Sequence, residues 1–166
     1  MPQSGLGLID SHAHIQGKEY VGETAAVIQR AGEAGVVEII VVGGAGDMSS
    51  NTAAVALAES CTNLYATVGM HPHDAKDVGE EELRELRELA GHPKVIAVGE
   101  TGLDYYYNHS PHEVQRRVFA QFIRLAGRPD CRWWFMSETL QAKPSSYCAV
   151  KAPGKFAGDP LLHGRL

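Results

Sequence analysis

Val36-Val37-Glu38-Ile39-Ile40-Val41-Val42, running into Gly43-Gly44-Ala45-Gly46, is the stretch that decides the fold. Six of the first seven residues are β-branched and apolar. A strand with one wet face would alternate with polar residues. An unbroken run is buried on both faces, as in a parallel sheet covered by helices. The glycines mark a tight turn out of the strand. Such a loop can also cradle phosphate. This one lacks the Lys-Ser/Thr of a P-loop and the spacing of a dinucleotide fingerprint, so it reads as a strand-to-helix turn.

The same unit recurs on either side. Leu6 to Ile9 is an apolar strand that breaks into Asp10-Ser11-His12-Ala13-His14. Glu23 to Ala34 is a helix with Val27, Ile28 and Ala31 in its apolar stripe, stopped by Gly35. Ser50 to Cys61 is an alanine-rich helix, and Leu64 to Met70 a strand ending in His71-Pro72-His73-Asp74. Glu80 to Ala90 is a helix with Leu83, Leu86 and Leu89 inward and acidic residues in its first turn. Val95 to Val98 is a strand ending in Gly99-Glu100-Thr101-Gly102-Leu103-Asp104. The last helix opens at Ser110-Pro111-His112-Glu113, read as a capping box, with Val114, Val118, Phe122 and Leu125 buried. Strands therefore begin near residues 6, 36, 64 and 94. Four βα units with buried strands indicate a parallel α/β fold.

Every polar cluster falls at the C-terminal end of a strand, the edge that carries chemistry in such folds. On a strand, His12 and His14 project to one face, with Cα atoms about 6.5 Å apart. Two neutral imidazoles so placed suit zinc and similar ions. Asp10 adds an oxygen ligand or an outer hydrogen bond. The alternative is a pair of surface histidines in a loop. His71, His73 and Glu100 then converge on the same rim.

At 166 residues the chain is one domain by length, large enough for a real core. A net charge of −5 gives no footprint for gripping duplex DNA. Three cysteines without metal-type spacing argue against a disulfide framework or a zinc knuckle. No apolar run approaches 18 residues, so no membrane partner is expected. No signal peptide is read at the N-terminus, and a cytoplasmic location is the default expectation.

Three stretches together resemble the TatD family of metal-dependent hydrolases: Ile9 to His14, Val68-Gly69-Met70-His71-Pro72-His73, and Val98-Gly99-Glu100-Thr101-Gly102-Leu103-Asp104-Tyr105. The Gln115-Arg116 helix start matches too, and order and spacing fit from about residue 6 to residue 126. The resemblance implies a TIM-type (β/α) barrel and a deoxyribonuclease-like hydrolase of phosphodiester bonds. It implies one or two divalent metal ions (Mg, Mn or Zn), with His12, His14 and Glu100 at metal-ligand positions. It places His71 near the site, for substrate phosphate. Asp104 reads as a turn residue or an outer partner of the ligands. Tyr105 to Tyr107 read either as packing at the barrel mouth or as a surface on which a base stacks. The catalytic aspartate of the family lies on a later strand, so no catalytic residue is assigned here.

The pattern covers residues 1–127 as the N-terminal half of a barrel that needs eight strands and about 250 residues. Residues 128–166 read as an unmatched, irregular tail. They hold six basic residues against three acidic, whereas the first 127 carry a net −8. Trp133-Trp134-Phe135-Met136 must be encoded TGG TGG TTY ATG. One base earlier, this gives Val-Val followed by His or Tyr. With permitted flanking codons, an apolar strand ending in His emerges, which is what the family has as its fifth strand. A shift of reading frame near residues 126–129 is therefore expected, or else a disordered tail. The activity of the chain as written is left open. Non-catalytic metal binding, association with a partner or with itself through an exposed half-barrel edge, and hydrolysis of another ester such as aminoacyl-tRNA are the alternatives.

Overall fold

Four strands in the expected order, starting near the expected positions, open the chain in a computed structural model: β1 (Leu8–Ala13), β2 (Val36–Val42), β3 (Leu64–Val68) and β4 (Val95–Asp104). They alternate with α1 (Thr24–Glu33), α2 (Ser49–Ser60), α3 (Glu80–Ala90) and α4 (His112–Ala126). The structure describes residues 7–126, and the backbone of β5 (Trp134–Leu140) and β6 (Tyr147–Lys151). The sheet order is β1-β2-β3-β4-β5-β6. Neighbours are parallel as far as β5, and β6 runs antiparallel to β5.

The strand order follows the chain without reversing. Right-handed crossovers then lay every helix on one side of the sheet. That is half of a (β/α) barrel, not a doubly wound sheet, whose order reverses at its centre.

The core lies between strands and helices. Val41, Val68 and Val98 meet Ala54, Ala58, Leu86 and Phe122, all at full or nearly full burial. Burying Phe122 alone is worth about 1.5–3 kcal/mol. In α2 the buried positions are Asn51, Ala54, Val55 and Ala58, a spacing of three and four. In α3, Leu83 and Leu86 are buried as expected, while Ala90 rather than Leu89 takes the third place. The Glu82 carboxylate accepts the Gly79 amide at 2.8 Å and closes the start of that helix.

Three expectations differ from the structure. β4 runs on through Glu100 to Asp104, where the sequence reading ended the strand at Val98. The reason is pairing with β5, in which Thr101 to Asp104 lie opposite Ser137 to Leu140. The Ser110 hydroxyl does not act as the first half of a capping box. It accepts the Lys76 amide at 3.0 Å and donates to the His73 carbonyl at 2.6 Å, while Glu113 pairs with Arg116. The region read as irregular contains β5 and β6, which continue the sheet from the open edge of β4. The rest of that reading, residues 128–133, 141–146 and 152–166, lies outside the described residues. Among the described residues, no helix is long and apolar enough to cross a membrane.

Candidate metal centre

His12 near the end of β1, His14 just past it, and Glu100 in β4 bring their ligand atoms within 4.8 Å of one another. The two imidazole Nε2 atoms are 3.0 Å apart. The nearest Glu100 carboxylate oxygen is 4.0 Å from His12 Nε2 and 3.8 Å from His14 Nε2. Four tetrahedral ligands with bonds of about 2.1 Å stand about 3.4 Å apart. The three separations bracket that value, so small side-chain adjustments bring them onto one ion.

The ring of His14 is oriented from behind. Its Nδ1 lies 2.9 Å from the Val42 carbonyl at the end of β2. A carbonyl only accepts, so Nδ1 carries the proton and Nε2 of the neutral ring presents its lone pair. Gln16 donates to the same carbonyl at 2.7 Å. Glu100 is buried, 8% exposed, so its charge favours a cation beside it. The donor set thus fits a divalent ion. Asp10 does not join it: its carboxylate accepts the His12 amide at 3.1 Å within β1.

Glycine makes this closeness of strand tips feasible. A Cβ at Gly69 would stand 2.9 Å from the Gly99 carbonyl carbon and 3.0 Å from the Glu100 oxygen. Gly44, at φ +92°, lies equally tight against Gly69. Backbone bonds knit the tips together, from Glu100 N to Gly43 O (3.3 Å) and from His71 N to Gly44 O (2.8 Å). Asn51 clamps Gly69 from α2, donating to its carbonyl and accepting its amide, both at 2.9 Å. The amides of Gly43, Gly44 and Gly46 go to Thr67 O, Ser50 Oγ and the Asp74 carboxylate. They are spent inside the protein, so this glycine loop is a turn and not a phosphate cradle.

His71 caps the 3-10 turn Pro72–Asp77 and accepts the His73 amide on Nδ1 at 3.2 Å. Its neutral ring therefore carries its proton on Nε2, the form that donates to an anionic oxygen. His73 pairs through Nε2 with the Asp104 carboxylate, which is fully buried. Burial pushes the Asp104 pKa up. The amides of Tyr106 and Tyr107 and the ring of His73 outweigh it, and the net shift is downward. Gln115, buried in α4, grips the amide and carbonyl of Asp104 at 2.7 and 2.8 Å. The sequence reading missed the His73–Asp104 pair and both amide clamps. The clamps had a signal: Asn51 and Gln115 are polar residues standing on apolar helix stripes.

The family model for TatD related DNase matches residues 9–132. The chain is 42% identical to "Uncharacterized metal-dependent hydrolase YabD" of Bacillus subtilis over 119 residues, 72% of this chain and 46% of that protein. It is 33% identical to "3'-5' ssDNA/RNA exonuclease TatD" of Cronobacter turicensis, over 72% of this chain and 44% of that protein. The crystal structure of the TatD homologue YjjV of Escherichia coli superposes with a TM-score of 0.67 at 33% identity, covering 78% of this chain and 50% of that one. The chain spans about half the length of the relatives it matches.

Proposed function

The chain belongs to the TatD related DNase family, and from that premise we propose that it supplies the first half of a metal-dependent hydrolase acting on phosphodiester bonds at the ends of single-stranded DNA or RNA. The observation that carries this reading is the meeting of His12, His14 and Glu100 within 4.8 Å at the C-terminal edge of the sheet. These three residues would hold the ion. Bound there, a divalent ion would supply polarisation of a phosphoryl oxygen and a water of lowered pKa. His71, just past β3 at this edge, is the proposed contact for a substrate phosphate, and Glu100 keeps the ion-binding face negative. The chain's net charge of −5 leaves substrate binding to such local contacts, not to a basic surface.

The test is hydrolysis of a 5′-labelled single-stranded oligonucleotide and of an aminoacyl ester, with Mn2+ or Mg2+. It is run on the chain as written and on a version with the preceding reading frame restored from residue 128. Stepwise shortening by the restored protein is expected, lost with a chelator and in Glu100→Gln. Ester hydrolysis alone, or no reaction by either form, would contradict the proposal.

One further reading has an observation in its favour. β1 is the end strand of the sheet, and Leu8 within it and Val37 of the neighbouring β2 are 60% and 51% exposed. An open, apolar edge of this kind pairs with another chain. Self-association is the expected outcome for the chain alone, and a sharp monomer in sedimentation velocity would count against it.

A further inference from the structure

We propose that Tyr106 and Tyr107 form a stacking corner for one unpaired nucleobase of the substrate strand. The inference deepens the nucleic-acid reading above and rests on it for the nature of the ligand.

The segment after β4 carries Tyr105, Tyr106, Tyr107, His109 and His112. Tyr105 is used for packing. Its hydroxyl accepts from Arg116 at 3.0 Å, and its ring stacks on His112 with centroids 4.1 Å apart. Tyr106 and Tyr107 are different, with 74% and 57% of their surface exposed. Among the described residues, the one aromatic contact of Tyr106 is Tyr107, at 4.8 Å and an interplanar angle of 85°. One ring is the floor of a corner and the other its wall. His73 stands edge-on to Tyr107 at 5.4 Å, and His109 lies parallel to it at 5.8 Å.

Exposure here is not looseness. The Asp104 carboxylate accepts the amides of Tyr106 and Tyr107 at 2.8 and 3.1 Å. The Asn108 side chain donates to the Tyr106 carbonyl at 3.2 Å, with Asn108 at φ 57°. Lys76 and Ser110 lash the loop to the 3-10 turn Pro72–Asp77, through Lys76 Nζ to His109 O at 3.2 Å and Ser110 Oγ to His73 O at 2.6 Å. A fixed backbone thus presents two aromatic rings to water, which lowers the ordering cost when a flat ligand arrives. Every base has a π-face, so a corner of this kind accepts any sequence but needs the base unpaired. Asp104 lies four residues beyond Glu100 on the same strand, roughly 13 Å at about 3.3 Å per residue. The corner therefore takes a base flanking the reacting phosphate, not the phosphate itself.

The experiment is titration of the full chain into a short single-stranded oligonucleotide carrying 2-aminopurine, at low salt, with a duplex of the same sequence as control. Stacking quenches the fluorescence. Quenching by the wild-type chain is expected for the single strand and not for the duplex. Tyr106→Phe keeps the π-face and should bind like wild type. Tyr106→Leu keeps apolar surface without a π-face and should weaken binding about tenfold, in line with the loss of one stacked base. Both exposed substitutions leave the core untouched, which circular dichroism checks. No quenching by the wild-type chain, or Tyr106→Leu equal to Tyr106→Phe, would overturn the proposal. The titration is run in a chelator, without divalent metal, so a failed metal centre does not alter the quenching and is told apart from a failed stacking corner.

Discussion

Nδ1 of His14 sits 2.9 Å from the carbonyl oxygen of Val42, so a main-chain group at the end of β2 decides which nitrogen of that ring faces Glu100. Ligation uses the neutral ring, so protons compete with the metal. Mn2+ affinity should fall as pH is lowered. Calorimetry in buffers of different ionisation enthalpy should show proton release that grows toward the acidic end. Affinity independent of pH would mean that the imidazoles are not the ligands.

Gly69 touches no ligand atom, yet Gly69→Ala should damage the centre. The added Cβ would stand 2.9 Å from backbone of Gly99 and 3.0 Å from that of Glu100. Backbone cannot swing aside as a side chain does, so the tip of β4 must shift. Overpacking of this kind costs about 1–3 kcal/mol. We expect that loss in urea unfolding, together with at least tenfold weaker Mn2+ binding.

Asp104→Asn should destabilise the protein by about 1–3 kcal/mol at neutral pH, from loss of the charge-assisted bond to His73. Its carboxyl has a folded pKa below the ordinary 3.8. The stabilisation is therefore fully present above the unfolded-state value of about 3.9 and is lost as pH falls through the depressed folded value. Melting curves of wild type and variant should stay apart from pH 7 down to about 4 and converge below it. A gap that widened in acid would reverse the sign of this account.

The sequence made β2, α3 and the order of the four βα units legible, because buried parallel strands leave unbroken β-branched runs and their helices leave stripes. His12, His14 and Glu100 were legible by type and position at strand ends. Their distances were not, since these depend on how closely Gly44, Gly69 and Gly99 let three strand tips approach. The His73–Asp104 pair joins residues 31 apart. No local pattern announces such a pairing. The extension of β4 past Gly99 escaped for a related reason: its partner, β5, lies in a region with no regular periodicity.

For residues 128–166 we propose a shifted reading frame, on the strength of the forced Val-Val-His/Tyr reading across Trp133 to Met136. The gene should stay open in the preceding frame for about a hundred codons or more, as an eight-stranded barrel of about 250 residues requires. Sequencing across the junction checks this. An early stop in that frame would end the idea.

The most direct measurement is Mn2+ titration of the intact chain by electron paramagnetic resonance, wild type beside Glu100→Gln and His12→Ala/His14→Ala. The account predicts saturable binding by the wild type that falls at least tenfold in both variants, because the buried carboxylate and the two rings share one ion. Binding that is absent from the wild type, or that survives unchanged in both variants, would contradict it.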